Sequence, residues 1–334
     1  DPHVWTVTTD GQLVGMVYER LQEIEGWHKH AIAGTDAAVK SIASIPKPGD
    51  ELSDLWMIVE RTVDGSTVQY VEYMSEIYED VEAPIAGVSD RFYAKFLDSC
   101  ITYDGFYAAN ITLGALTGAG VTVTASAAVF SSGDVGSRIK VGSSYATVTG
   151  YTNATTITVT VTANFASLTH AAGTWSMQSN SFSGLDHLEG ETVGVVADGY
   201  VTDDEVVASG AISIDNFASV VHVGLRYEGR IKLLLPEFPN LGTIQGREMS
   251  TSRIHLYLTD SYGLKEKNVK TGDIVPIKFL DLPIATNQAP ELHNGLYTFH
   301  PISGYERDEQ LELIHDIPMP LTINYIVYDL DVNA

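Results

Sequence analysis

Residues 184–199 read GLDHLEGETVGVVADG and join a polar turn, a short apolar run and a second turn at Asp198-Gly199. The apolar run is rich in valine, whose branched side chain favours a strand. Before this stretch the chain is rich in Thr, Ser, Ala and Gly, and after it ordinary alternating strands resume. We therefore interpret it as the junction between two kinds of β-structure.

Two hairpin-like units precede the junction and repeat the same signals. In each, a Trp-containing apolar alternation leads to Asp-Gly, at Asp10-Gly11 and at Asp64-Gly65, and a second alternation follows. Asp-Gly between alternating strands predicts a tight primed hairpin turn, because glycine supplies positive φ. The repeat of about fifty residues is typical of four-stranded propeller blades. Two blades cannot close a ring, which indicates an incomplete propeller or a fragment of a longer chain.

The segment 108–180 has a different character. Thr and Val alternate at 121–124, 146–148 and 156–162, with Gly, Ser and Asn turns between them. This pattern predicts a small all-β insert of about 70 residues. Its charged residues are Asp134, Arg138 and Lys140. Because so few charges protect its strand edges, we expect a partner chain to cover part of it.

The whole chain is predicted to be all-β, with partial β-propeller-like blades followed by β-sandwich or barrel-like domains and the inserted small β-domain. The predicted division is 1–100 for the blades, 101–107 plus 181–235 for a parent β-domain, 108–180 for the insert and 236–334 for a C-terminal β-domain. The best helix candidate, 248–257, fits a strand equally well.

The charge balance limits the possible partners. The 334 residues contain 19 Lys and Arg against 43 Asp and Glu, a net charge of −24. Nucleic-acid affinity comes largely from cations that neutralise phosphates, so a phosphate-binding surface is disfavoured. A negative wall repels phosphates over about 8–10 Å, which suits a protein that DNA passes without sticking.

The remaining composition excludes several classes of protein. Cys100 is the only cysteine, so an internal disulfide and a cysteine-only zinc site are impossible. No apolar run approaches the length of a transmembrane helix, so no membrane segment is expected. The opening Asp-Pro-His-Val-Trp has neither a basic start nor an apolar core, and predicts no signal peptide.

Two clusters of polar residues could carry chemistry. His28-Lys29-His30 places two imidazoles on one strand face, which suits a metal site or simply a polar strand face, and the intervening Lys opposes a cation. Asp186-His187-Leu188-Glu189-Gly190-Glu191 could hold Ca²⁺ or an acid/base pair, but it lacks the alternating ligand register of a calcium loop. Turn chemistry before a strand also explains this second cluster.

Other patterns give no catalytic signal. The run Asp203-Asp204-Glu205 is interpreted as a solvated turn. The Gly-rich 131–136 loop has no following Lys-Ser/Thr and no helix, which argues against a phosphate loop. The sequence has no Gly-x-Ser-x-Gly and no His-Glu-x-x-His. We assign no catalytic, cofactor-binding or metal-binding residue and expect no enzyme, although a depolymerase using two carboxylates is the alternative within enzymes.

Several ordered blocks together resemble the tail nozzle family of short-tailed bacteriophages, also called tail tubular protein B or stabilisation protein. The blocks are 4–13 (VWTVTTDGQL), 23–30 (EIEGWHKH), 54–65 (DLWMIVERTVDG), 70–72 (YVE), 97–103 (LDSCITY), 184–193 (GLDHLEGETV), 221–227 (VHVGLRY) and 316–323 (DIPMPLTI). The 108–180 insert departs from the plain family pattern and is similar to the small FCCH-type β-domain of ubiquitin-activating enzymes. This similarity concerns the β-module alone, and we infer no ubiquitin chemistry from it.

The resemblance implies a structural virion protein, made in the host bacterial cytoplasm, that forms a six-fold ring at the distal end of a short tail. Such a nozzle conducts DNA during ejection without binding it specifically, contacts tail adaptor proteins, and supports fibres or spikes. The alternative is a receptor- or glycan-binding tail module, for which Trp5, Trp27, Trp56 and Trp175 could supply stacking surfaces.

Overall fold

The computed structural model of the chain describes residues 3–19, 23–49, 53–78, 83–234, 247–279, 288–302 and 311–332. Within these ranges the secondary structure consists of strands and short 3-10 turns, without any α-helix. The predicted all-β class is therefore confirmed, and the ambiguous helix candidate 248–257 lies in a strand. The acidic residues at 79–82 of the sequence lie outside the described residues.

Twenty-six strands are present in the described residues. The first thirteen are β1 (His3–Val7), β2 (Leu13–Glu19), β3 (Ile24–His30), β4 (Thr35–Pro46), β5 (Ser53–Val63), β6 (Ser66–Tyr73), β7 (Asp98–Asp104), β8 (Ile111–Leu113), β9 (Gly118–Ala125), β10 (Arg138–Val141), β11 (Ser144–Asn153), β12 (Thr156–Ala163) and β13 (Thr169–His170). The others are β14 (Ser176–Ser183), β15 (Thr192–Ala197), β16 (Tyr200–Val201), β17 (Glu205–Val206), β18 (Ala211–Ala218), β19 (Val220–Leu225), β20 (Gly229–Lys232), β21 (Met249–Ser261), β22 (Leu264–Asn268), β23 (Ile274–Ile277), β24 (His293–Phe299), β25 (Leu311–His315) and β26 (Thr322–Val332).

The chain packs into two compact units. Unit 1 comprises Asp1–Lys40, Arg226–Thr286 and Pro290–Ala334, and unit 2 comprises Ser41–Leu225 with Asn287–Ala289. Unit 1 contains the N-terminal sheet β1-β2-β3 and two later sheets, β20-β25-β22-β23 and β24-β21-β26. The two later sheets share one apolar core, built from Ile254, Leu256, Leu258, Leu264, Ile277 and Leu313.

Unit 2 contains the largest sheet, with the order β13-β8-β9-β12-β11-β10-β14-β18. A second sheet has the order β16-β15-β19-β7, and β17 also pairs with β15. Both β15 and β19 are apolar and almost wholly buried, as expected for the valine-rich run of the junction. The sequence around residue 192 thus forms a central strand of unit 2.

The two Trp-containing repeats form separate three-stranded sheets, β1-β2-β3 and β4-β5-β6. In β5 the residues alternate strictly between buried and half-buried, which is the period of a strand with one face in a core. Each sheet has three strands in the described residues, whereas a propeller blade has four. The propeller arrangement stays a prediction.

The Asp-Gly turns differ from one another. At Asp64-Gly65 and at Asp198-Gly199 both residues have positive φ, and the flanking strand residues pair directly. These two turns have the predicted primed geometry. At Asp10-Gly11 the prediction of a tight turn is wrong, because Val7 pairs with Leu13 across a longer loop in which Thr8 bonds to Gln12.

The segment 108–180 has a core of its own. Its buried residues, from Ile111 to Met177, form one apolar cluster that includes Trp175. The last strand of the segment, β14, belongs to two pairings: its first residues pair with β10 and its later residues pair with β18. The four-part division of the chain stays a prediction, and β14 is the strand that crosses its boundary at residue 180.

Candidate interaction face

The two histidines predicted to share a strand face do so. His28 and His30 lie on one face of β3 with ring centroids 4.9 Å apart. Lys29 points to the opposite face, as strand alternation requires, and does not lie between them. The structure adds Trp5 and His3 from β1, with 5.7 Å between the ring centroids of Trp5 and His28. Sequence reasoning missed these two because the register between β1, β2 and β3 is not visible in one chain.

His3, His28 and His30 form an imidazole cluster, which packs onto the sheet at Gly15. Trp5 and His28 are the neighbours of Gly15 on either side, and a Cβ atom at Gly15 would overlap the His28 Nε2 atom. Burial, together with the neighbouring His28 and His3, lowers the pKa of His30 to about 4. Burial also lowers the pKa of His28, so His28 and His30 are mainly neutral at pH 7. Among the described residues no three His, Cys, Asp or Glu side chains are placed to hold a metal ion.

The acidic 186–191 turn is used for local structure. Residues Asp186–Leu188 form a 3-10 turn, and the Glu189 carboxylate accepts the backbone N–H groups of Ser209 and Gly210 at 2.8 and 2.6 Å. His187 donates from Nε2 to the carbonyl oxygen of Ser99 at 3.0 Å. These contacts give Glu189 and His187 a role in local structure, as the turn-chemistry interpretation of this cluster expects.

The remaining polar patterns also have structural contacts. Asp203 and Asp204 are exposed between β16 and β17. Ser131 and Asp134 bond reciprocally across the 3-10 turn Ser132–Asp134, which leads into β10 instead of a helix. The Gly-rich loop therefore lacks the helix N-terminus that a phosphate loop needs.

The four tryptophans have different exposure. Trp175 is buried, and its indole N–H donates to the carbonyl oxygen of Ala109 at 2.7 Å. Trp5 and Trp56 are half-buried, and Trp56 packs beside Tyr73. Trp27 is 65% exposed on the face of β3 opposite the imidazole cluster. Among these four, Trp27 alone presents an open ring.

A larger apolar surface lies on the outward side of sheet β24-β21-β26. Tyr257 on β21 is the direct neighbour of Leu296 on β24 and of Tyr325 on β26. The rings of Tyr257 and Tyr325 stack with centroids 5.2 Å apart, and Val327 lies next along β26. Their exposed fractions are 39% for Tyr257, 57% for Leu296, 49% for Tyr325 and 50% for Val327. We call these four residues the aromatic face.

The surroundings of the aromatic face are polar. The Thr259 hydroxyl donates to the Asn324 side chain at 3.1 Å, and His255 Nδ1 lies 2.8 Å from the Thr298 hydroxyl. Charged groups along the strands lie at both ends, with Arg253 and Asp329 at one end and Asp260, which accepts from the Asn294 side chain at 2.7 Å, at the other. An apolar centre with a polar rim is the usual composition of a protein interface. From the sequence, the alternation of β26 predicts one apolar side of the strand. The exposed apolar residues on its other side could not be predicted from that pattern.

No protein-family model matches the chain, and a search of curated proteins finds no match. In the described residues, no helix has the length and apolar character needed to cross a membrane.

Proposed function

We propose that the chain is a structural subunit of a bacteriophage short tail, of the tail nozzle type, that associates with copies of itself into a six-fold ring. The aromatic face carries this proposal, because its four large apolar side chains are exposed to solvent on one side of a sheet whose other side is packed in a core. Exposed apolar patches of this kind mark sites of association. The ordered sequence blocks that resemble the nozzle family give the association its context.

The net charge of −24 supports the same role. A ring whose channel conducts DNA works best when the wall does not attract phosphates, and carboxylates repel them. In this proposal the ring contacts tail adaptor proteins on one side, supports fibres or spikes on the other, and belongs to the virion after synthesis in the host cytoplasm. No residue of the chain acts as a catalyst in it.

The test compares assembly of the wild type with the double variant Tyr257→Ser/Tyr325→Ser. Mass photometry across a concentration series, followed by negative-stain imaging, should show rings for the wild type and monomers for the variant. Tyr151→Ser is a matched control, since Tyr151 is also 39% exposed but lies on β11 in unit 2. A wild type that stays monomeric with purified tail adaptor present would overturn the proposal.

A receptor- or glycan-binding module is the second candidate, and Trp27 is the observation that favours it. Its ring lies in a row with Met16 and Val4 on an exposed sheet face, and aromatic rings of this kind stack on the apolar faces of sugars. A glycan array should then show saturable binding that Trp27→Ala removes. The control Val71→Ala, at another exposed apolar position, should leave binding unchanged. An array without saturable signal would exclude this candidate.

A further inference from the structure

The outward side of sheet β20-β25-β22-β23 carries two rows of cations. In one row Lys232 and Lys267 flank Glu312, and in the other Arg230 and Lys265 flank Ile314. Glu312 and Ile314, in the middle of these rows, are buried. We call Arg230, Lys232, Lys265 and Lys267 the basic face.

The basic face keeps an excess of positive charge after its internal pairing. Glu312 accepts Lys267 at 3.1 Å and Arg230 at 3.2 Å, and Lys265 pairs with Asp316 at 2.6 Å. Arg230 also pairs with Glu228. Lys232 is exposed and has no ion-pair partner among the described residues. Among the described residues, the four cations of this face therefore pair with or lie beside three carboxylates, Glu228, Glu312 and Asp316.

This surplus contrasts with the rest of the molecule. Of the 19 Lys and Arg residues, nine lie in residues 226–278, together with six Asp and Glu. The net charge of this segment is therefore positive in a chain of −24. Another copy of the chain offers a strongly acidic surface to any positive patch. Opposite charges across an interface steer encounter and fix orientation.

We propose that the basic face docks on an acidic surface of a second copy of the chain. The inference rests on the proposed self-association and specifies its polar contact. Two basic faces repel each other, so the contact joins different patches of the two copies. Such a head-to-tail contact generates a closed ring when its rotation closes and a filament when it does not.

A nucleic-acid partner is less well matched to the same surface. Glu228, Glu312 and Asp316 lie among the cations and would repel phosphates at close range. An acidic protein surface can instead place its carboxylates selectively beside Lys232 at the edge strand. DNA binding is therefore a separate outcome of the test.

The experiment is self-association of Lys232→Glu and Lys232→Gln measured by mass photometry at low salt. We expect Lys232→Glu to weaken association about tenfold and Lys232→Gln to have an intermediate effect, both shrinking at high salt. Lys29→Glu, an exposed lysine on β3, is the control with the same charge change and should match the wild type. Thermal melts verify that each variant is folded.

The outcomes separate this inference from the proposed function. If both Lys232 variants assemble like the wild type while Tyr257→Ser/Tyr325→Ser does not, the basic-face contact is wrong and the nozzle proposal stands. Binding of the wild type to a 30-base-pair duplex, lost in Lys232→Glu without any change in assembly, would also overturn it in favour of a phosphate site. A wild type that never associates would remove both proposals.

Discussion

Arg61 is a charged side chain in a buried strand position, where it pairs with Glu72 of the neighbouring strand. It is 1% exposed on β5, at a position where Leu55, Met57 and Val59 on the same face are apolar. The Glu72 carboxylate on β6 meets its guanidinium with both oxygens, including Nη2 to Oε2 at 3.0 Å. A bidentate pair of this kind offsets the cost of burying the charge.

The first prediction concerns this pair. Glu72→Gln removes the carboxylate charge that faces the buried Arg61 guanidinium, and should lower the free energy of unfolding by about 2–3 kcal/mol. Urea denaturation measures the loss. Glu25→Gln, at an exposed position of β3, should change stability by less than about 0.5 kcal/mol. An equal small effect for both variants would show that Arg61 is solvated by other means.

His222 couples stability to pH. It accepts from the Thr102 hydroxyl at Nδ1, 2.8 Å away, and donates from Nε2 to the carbonyl oxygen of Phe92 at 2.7 Å. Burial lowers the pKa of His222 to about 4, more than the Phe92 bond raises it. The folded state thus binds a proton at this site less readily than the unfolded chain, whose histidines titrate near pH 6.5.

The second prediction follows from the lowered pKa of His222 in the folded state. The contribution of His222 to stability is fully present above pH 6.5 and is lost as pH falls toward 4, on the order of 3 kcal/mol in total. Urea unfolding between pH 7.5 and 4.5 should show stability falling with acid, and His222→Gln should reduce the slope. Imidazole titration by NMR should place His222 below pH 5. A midpoint near 6.5 would contradict the buried, neutral assignment.

At the level of strands, Gly105 directly follows β7 and its backbone is hydrogen-bonded to β14. Its N–H donates to the Ser219 carbonyl oxygen at 2.7 Å, and its own carbonyl oxygen accepts the Met177 N–H at 2.8 Å. A Cβ atom here would overlap the Met177 carbonyl oxygen, a backbone atom that cannot rotate away. The position therefore admits glycine for reasons of space.

The third prediction is that Gly105→Ala destabilises unit 2 by about 2–3 kcal/mol, since the two backbones must separate. Gly26→Ala is the matched control, because Gly26 lies in a strand with no atom within 4 Å of the added Cβ. Thermal and urea unfolding of both variants give the comparison. Equal stability of the two would mean that β14 can shift without cost.

The fourth prediction addresses the insert. Phe106 pairs with Ser176 as an isolated antiparallel bridge, so a two-residue Asn-Gly turn can replace residues 107–175 and close a hairpin. We expect a folded protein that keeps β14 paired with β18, as seen by circular dichroism and amide exchange. A cut after residue 180 instead removes part of that pairing and serves as the comparison. Insoluble protein from both versions would contradict the insertion hypothesis.

Strands were more predictable than their contacts. Alternation of apolar residues located β5 and β12 from the sequence, and a continuous apolar run located β15, because both patterns depend only on local order. By contrast, two contacts depend on the register between strands. These are the ion pair of Arg61 with Glu72 and the ring contact of Trp5 with His28. The aromatic face was missed for the same reason, since Leu296 and Tyr325 become neighbours of Tyr257 only through pairings with β24 and β26.

For the whole molecule, the charge of −24 gives the fifth prediction. The protein should show no binding to duplex DNA at 50–150 mM salt, because few cations are available to release counterions from phosphates. Fluorescence anisotropy with a labelled 30-base-pair duplex measures this directly. An acidic protein of similar size is the control. Micromolar affinity would be incompatible with a channel wall that DNA passes freely.

The double membership of β14 has a mechanical consequence. Because its first residues pair with β10 and its later residues with β18, a pull on the 108–180 segment is transmitted to the rest of unit 2 along the strand axis. Hydrogen bonds loaded in this way share the force and break together, whereas bonds at a peeled edge break one at a time. The 108–180 segment is thus attached through a strand whose pairings resist shear along the strand axis.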